Sequence, residues 1–217
     1  MPPVRQSRRT FPEFGDLDIL TDNHLLGQDT GGDVWLGGYA LTRYLHLHPS
    51  VIEGKRVLEL GSGTGFVGLS LALLDPQLVV LTDRHALIPL LQANIAENTT
   101  RLGCTIHALP LDWERAPPPA VTRLQPFDVI VASEVLYEPP AVRSLASTLI
   151  SIAAPHTVVF LGCCFYSEDH VNLAKQLLHS LRSRFSCEDV TTCSEDHKAL
   201  AVHCLVIYRL DPLAQHF

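Results

Sequence analysis

Gly61, Gly63 and Gly65 stand at alternate positions just after the apolar run 56–60, and a carboxylate, Asp83, follows 20 residues beyond Gly63. Glycines in this pattern allow a tight turn whose backbone a ligand can approach without meeting a Cβ. Ser62 and Thr64 lie between them, and the helix that begins near Phe66 would aim its N-terminal N–H groups at the bound molecule. A carboxylate ending the next strand can accept two hydrogen bonds from a ribose diol. The set therefore binds a nucleotide-like cofactor. Residues 63–68 also satisfy G-x-G-x-x-G, so at this point a nicotinamide dinucleotide fits as well as any other cofactor with a ribose. Further chemistry-bearing residues are Trp35, Trp113 and the polar stretch Ser133-Glu134-Val-Leu-Tyr137.

These groups are far apart in the chain, so the elements between them must bring them to one edge. Val57, Leu58 and Leu60 suit a buried parallel strand, and 66–74 continues as a helix that stops at Asp75-Pro76. Residues 78–83 form a second strand. Leu87, Leu90, Leu91 and Ile95 recur at helical spacing, with Asn94 and Asn98 on the same helix. Residues 105–109, 127–132 and 157–162 predict three more strands, and 142–153 and 171–185 predict helices between and after them. Ahead of all these, Ala40, Leu41, Tyr44, Leu45 and Leu47 predict a helix that Pro49 ends. The segments 187–192 and 201–209, joined by the polar turn 194–198, are too closely connected to pair other than antiparallel. The pattern predicts an α/β chain: a doubly wound, mostly parallel seven-stranded sheet with a C-terminal antiparallel hairpin. Crossovers should be right-handed, and the ligand should sit outside the carboxyl ends of the strands at the switch point. The glycine turn, Asp83, Trp113 and 133–137 would meet there.

The chain has 217 residues and is 47% apolar, which suits one globular domain. Residues 1–9 carry Arg5, Arg8 and Arg9 without an apolar stretch, so they read as an unstructured tail and not a secretory signal. Residues 1–26 are expected to be a partly flexible extension, with Leu17, Ile19 and Leu20 able to form a short strand or strap. The polar glycine-rich turn 27–32 opens the domain, 27–217. A formal charge of −7 argues against an extended phosphate-binding face, so a nucleic-acid partner is not expected. Six cysteines without C-x-x-C spacing and eleven histidines without H-E-x-x-H predict no metal site. His46 and His48 are expected to face solvent. Reduced thiols in a cytosolic or nuclear protein are expected, with several cysteines serving as small hydrophobes. No apolar run is long enough to cross a bilayer.

A dinucleotide oxidoreductase needs a second mononucleotide-binding half and groups that polarise a carbonyl. This chain closes with a hairpin, and its three lysines, Lys55, Lys175 and Lys198, stand away from the strand ends. Glu59-Leu-Gly-Ser-Gly-Thr-Gly65 together with Asp83 resembles the signature of the seven-strand S-adenosylmethionine-dependent methyltransferases, which are Rossmann-like. More narrowly, Val34-Trp35, Leu111-Asp112-Trp113 and Glu134-Val-Leu-Tyr137 resemble the protein-lysine methyltransferase group, over about 27–209. The resemblance implies S-adenosyl-L-methionine as cofactor, with S-adenosyl-L-homocysteine as product, and a protein presenting a lysine as substrate, bound by a monomer. It implies that Glu59 and the backbone of Gly61, Ser62, Gly63, Thr64 and Gly65 hold the methionine end, and that Asp83 holds the ribose. It places Trp113 beside the adenine, Trp35 over the cofactor and Ser133 in backbone contact. Glu134 and Tyr137 are implied as the catalytic pair, Glu134 capturing the incoming ammonium and Tyr137 walling the channel. Leu36 stands where the group has proline, and Glu134 is one methylene longer than the more frequent aspartate. Protein arginine or histidine, a small molecule, an NAD-dependent oxidoreductase, or a non-catalytic cofactor-binding role stay open as alternatives.

Overall fold

The computed structural model describes residues 6–22, 30–191 and 205–213. Strands β3 (Arg56–Leu60), β4 (Leu78–Asp83), β5 (Thr105–Pro110), β6 (Val129–Ser133), β7 (Val158–Cys164), β8 (Phe185–Asp189) and β9 (Leu205–Pro212) form one sheet in the order β5-β4-β3-β6-β7-β9-β8. β9 runs antiparallel to both neighbours, and β3 to β7 pair in parallel. The chain runs outward from β3 through β5 and returns to β6 beside β3, which makes the β3/β6 boundary the switch point. The expected doubly wound, mostly parallel sheet with its terminal hairpin is therefore the observed one.

Alternation along the strands divides the core. Val57, Val79, Leu81, Val131 and Phe160 pack with α1 (Leu36–Leu47), α2 (Phe66–Leu71) and α3 (Ile88–Asn98) on one face. Leu58, Leu60, Val80, Ile130 and Leu161 pack with α5 (Pro139–Ile152) and α6 (Glu168–Leu181) on the other. Strands covered on both faces have no polar side, which is why their sequences read as continuous apolar runs. The predicted boundaries shift in places. The helix after the fourth strand begins at Pro139, since prolines in the first turn lack only an N–H that would be unpaired anyway. α2 ends at Leu71. The proline-rich segment after β5 contains a short helix, α4 (Pro119–Thr122). The turn 194–198, residues 27–29, Cys193 and Cys204 lie outside the described residues.

The N-terminal segment departs most from expectation. The short strand expected around Leu17 and Ile19 is present as β2 (Leu17–Asp22), but in place of a tail the preceding residues form β1 (Gln6–Phe11), which pairs with it as an antiparallel hairpin with Phe11 opposite Leu17. Leu17 and Ile19 are fully buried, and Phe11 and Phe14 pack on Phe66 at 4.5 and 5.8 Å between ring centroids. The outer edge of β2 is closed by two side chains of α3. Asn94 accepts from the Leu20 N–H (2.7 Å) and donates to the Leu20 carbonyl (3.0 Å), and Asn98 does the same at Asp18 (3.0 and 2.6 Å). The match is geometric: four helical residues rise about 6 Å and two strand residues about 6.7 Å, so i,i+4 amides meet i,i+2 peptides. Both asparagines are fully buried, so truncation strands backbone groups away from water. Asn98→Ala should lower unfolding stability by about 2 kcal/mol in a denaturant titration.

The histidine expectation also fails. His46 is half-buried against Phe14 (4.9 Å) with Nε2 3.2 Å from the Ser70 carbonyl, and burial lowers its pKa. His48 Nδ1 lies 2.8 Å from the Tyr44 carbonyl, with its ring beside the Tyr44 ring. Both rings serve α1 packing, a role that their spacing of two did not reveal.

Candidate active site

A cavity of about 560 Å³ opens at the carboxyl ends of β3, β4 and β6, at the switch point. Trp35, Glu59, Gly61, Ser62, Gly63, Thr64, Asp83, Trp113, Ser133, Glu134 and Tyr137 all line it. Of the residues singled out in the sequence, Gly65 does not; it caps α2 and packs toward Leu91 and Leu81.

The glycine turn is held from several sides. The Ser62 N–H donates to the Thr82 carbonyl (2.9 Å) and the Ser62 hydroxyl accepts from the Thr82 N–H (3.0 Å), which pins the turn to β4. Gly63 has φ +54°, and a Cβ there would come within 2.8 Å of the Gly31 carbonyl oxygen. The segment 31–35 thus crosses directly over the turn, as close as glycine allows. Asp83 accepts the Gly63 N–H on Oδ2 and the Arg84 N–H on Oδ1, both at 2.7 Å.

Glu59 occupies a different position from a simple wall residue. It is almost fully buried, and Oε2 accepts the Gly68 N–H (3.0 Å), which ties β3 to the start of α2 beneath the turn. Burial pushes its carboxyl up to about 8, offset in part by the Gly68 N–H and the Ser62 hydroxyl. Its folded pKa lies above the ordinary carboxylate value, so the neutral form is favoured by folding. The stability it contributes is complete below about pH 4.3 and is lost as pH rises through about 8. Melting temperature followed from pH 5 to pH 9 should therefore fall less for Glu59→Gln than for the unmodified chain.

Glu134 is set by its backbone. Its φ of +53° is left-handed, a conformation costing about 1–2 kcal/mol for a side-chain-bearing residue, and its N–H donates to the Gly162 carbonyl (2.9 Å). This turns the carboxylate back toward α1, where Oε1 accepts the Gly37 N–H at 2.7 Å, and the Cys164 backbone bonds it too. α1 can come so near because Gly162 has no Cβ; one would lie 2.5 Å from the Gly37 carbonyl oxygen. The extra methylene of Glu134 is used in reaching the first turn of α1. Burial raises its carboxyl to about 7, against the two backbone N–H bonds that lower it.

The aromatic residues frame the opening. Trp35 is 40% and Tyr137 41% exposed, while Trp113 is half-buried against Gly61. Sequence reasoning missed Asp33, Arg84, Glu114 and Glu138 on the rim. Arg84 carried a signal in its place directly after Asp83; the others sit in loops without periodicity. Among the described residues, six lining carboxylates besides the neutral Glu59 face a single cation, Arg84, so the cavity favours a cationic occupant. Glycines that admit a ligand backbone-close, a strand-end carboxylate for a diol, flanking tryptophans and an acidic wall together fit a ribose-bearing cofactor with positive charge.

Residues 15–193 match the family model described as lysine methyltransferase. Protein N-lysine methyltransferase METTL21A of Danio rerio is 32% identical over 162 residues, covering 72% of this chain and 69% of that protein. Protein-lysine N-methyltransferase EEF2KMT of Homo sapiens is 30% identical over 163 residues, covering 69% of this chain and 49% of that protein. Among solved structures, TYW2 of P. horikoshii in complex with MeSAdo superposes with a TM-score of 0.58 at 12% identity, covering 98% of this chain and 72% of that one.

Proposed function

The chain belongs to the lysine methyltransferase family and uses S-adenosylmethionine, and from that premise we propose that it methylates the ε-amine of a lysine in a specific protein. The observation that carries this proposal is the placement of Glu134 and Tyr137 on the wall of the cavity that also contains the glycine turn and Asp83. In it, Asp83 would hold the ribose hydroxyls, Gly61 to Thr64 would cradle the amino-acid end, and Trp113 would flank the adenine. Trp35 covers the site from the mouth, and Ser133 offers backbone contact at the end of β6. Glu59 acts from beneath as the tie that keeps the turn and α2 in register.

When bound, S-adenosylmethionine would supply an electrophilic methyl group. The protein's work is alignment and control of charge. Free lysine has a pKa of about 10.4, so the amine must lose a proton before its lone pair can attack. Glu134 draws the ammonium into the cavity and orients it. Held near neutrality by burial, its carboxylate can also take up the proton that the amine sheds. Tyr137, at the mouth, walls the path of the lysine side chain. We propose a monomer working in the cytosol or nucleus, with the buried Cys163 and Cys164 as packed, reduced thiols.

Two measurements test the proposal. Calorimetry should show S-adenosylhomocysteine binding and no comparable NAD binding; the reverse order would end it. Lysates incubated with the chain and methyl-labelled cofactor, then digested for mass spectrometry, should yield label on lysine. Label found only on arginine, histidine or small molecules would replace the acceptor named here.

A further inference from the structure

We infer that Asn94 is a positioning residue for the cofactor turn and that, through it, the N-terminal hairpin sets cofactor affinity. The inference rests on the cavity being the S-adenosylmethionine site. Asn94 is fully buried and does not line the cavity. Its amide nitrogen has two hydrogens and two partners, the Leu20 carbonyl of β2 at 3.0 Å and the Thr64 carbonyl of the turn at 2.7 Å, while its oxygen accepts the Leu20 N–H. One side-chain group therefore joins the hairpin to the turn that meets the ligand.

The connection matters because of what the turn is made of. Thr64 lies between Gly63 and Gly65, both at positive φ, and glycines lose more conformational freedom on ordering than any other residue. A turn fixed before the ligand arrives spares that ordering on binding. Asn94 fixes it at the Thr64 carbonyl, and Asn94 is itself fixed by two bonds to Leu20. Hairpin residues 6–22 contribute no side chain to the cavity among the described residues; Phe11 and Phe14 touch its wall at Phe66 and Arg9 pairs with Asp33 (2.9 Å), while the tie to the glycine turn itself runs through Asn94.

Asn98 supplies the control. It makes the same pair of bonds to β2, at Asp18, but its other donor goes to the Asn94 carbonyl (2.8 Å) and not to the turn. Both asparagines hold the hairpin, yet the turn is bonded by Asn94.

Matched variants Asn94→Asp and Asn98→Asp separate positioning from stability. Each keeps the acceptor for the strand N–H and turns an amide donor into an acceptor. Both should lower the melting temperature. S-Adenosylhomocysteine affinity, measured by calorimetry well below the melting range, should fall about tenfold for Asn94→Asp and less than about twofold for Asn98→Asp. Equal affinities in the two folded variants would overturn the inference. Should Asn94→Asp fail to fold, hydrogen exchange on the unmodified chain decides. By reciprocity, S-adenosylhomocysteine should slow exchange of the Leu20 amide more than that of Asp18. Protection confined to the cavity wall would overturn it. Failure of the unmodified chain to bind S-adenosylhomocysteine at all would instead remove the cofactor reading, and this inference with it.

Discussion

Asp83→Ala should weaken S-adenosylhomocysteine binding by about 10²–10⁴-fold, the largest affinity loss expected of any single change in the cavity. Two charge-assisted hydrogen bonds to the ribose would disappear, each worth about 1.5–3 kcal/mol. The substitution also strips the Gly63 and Arg84 N–H groups of their acceptor, which frees the turn that must stay ordered. Asp83→Asn distinguishes the two contributions. It keeps one acceptor oxygen, so it can hold Gly63, but it loses the negative charge and half of the acceptor capacity. An intermediate affinity is expected for it, with the melting temperature close to that of the unmodified chain. Calorimetry returning unchanged affinity for Asp83→Ala would remove Asp83 from the cofactor site.

Glu134→Gln should act on turnover and spare the cofactor. The glutamine oxygen can still accept the Gly37 N–H, so the α1 contact survives while the charge that draws the ammonium is gone. A loss in kcat/KM of about 10²–10³ is expected, the scale seen when a preorganised charge in a low-dielectric site is removed. S-Adenosylhomocysteine affinity should change less than about threefold. The pH dependence has a definite sign. Glu134 titrates at about 7 and the ionised form attracts the ammonium, so activity should fall as pH drops through that value. In Glu134→Gln that limb should vanish and leave only the amine's own titration. Full turnover in Glu134→Gln, with methyl-lysine as product, would show that the carboxylate neither captures the amine nor takes its proton.

The central strands β3, β4, β6 and β7 were legible because each is buried on both faces and carries its apolar run undiluted. Helix limits were less so; α5 starts at Pro139 because first-turn prolines cost little, whereas proline ordinarily marks a break. The hairpin at 6–22 escaped because β1 shows the alternation of an exposed strand weakly: Arg8, Arg9 and Thr10 all face solvent, and only Phe11 turns inward. Its inner strand, β2, is held by Asn94 and Asn98, whose type suggests turns and caps, not a helix side that mimics a strand. His46 and His48 failed for a similar reason, since a spacing of two says nothing of what α1 packs against.

By itself the sequence determined the α/β order, the glycine turn with Asp83, and the tryptophans and Glu134 to Tyr137 that meet it, because those depend on local burial, backbone freedom and strand ends. The tertiary structure alone decided what each carboxylate faces. Glu59 went beneath the turn to Gly68, and Glu134 was turned by a left-handed backbone onto the first turn of α1. Both acquired raised pKa values that follow from distance and desolvation among segments remote in the chain, which no spacing along it encodes.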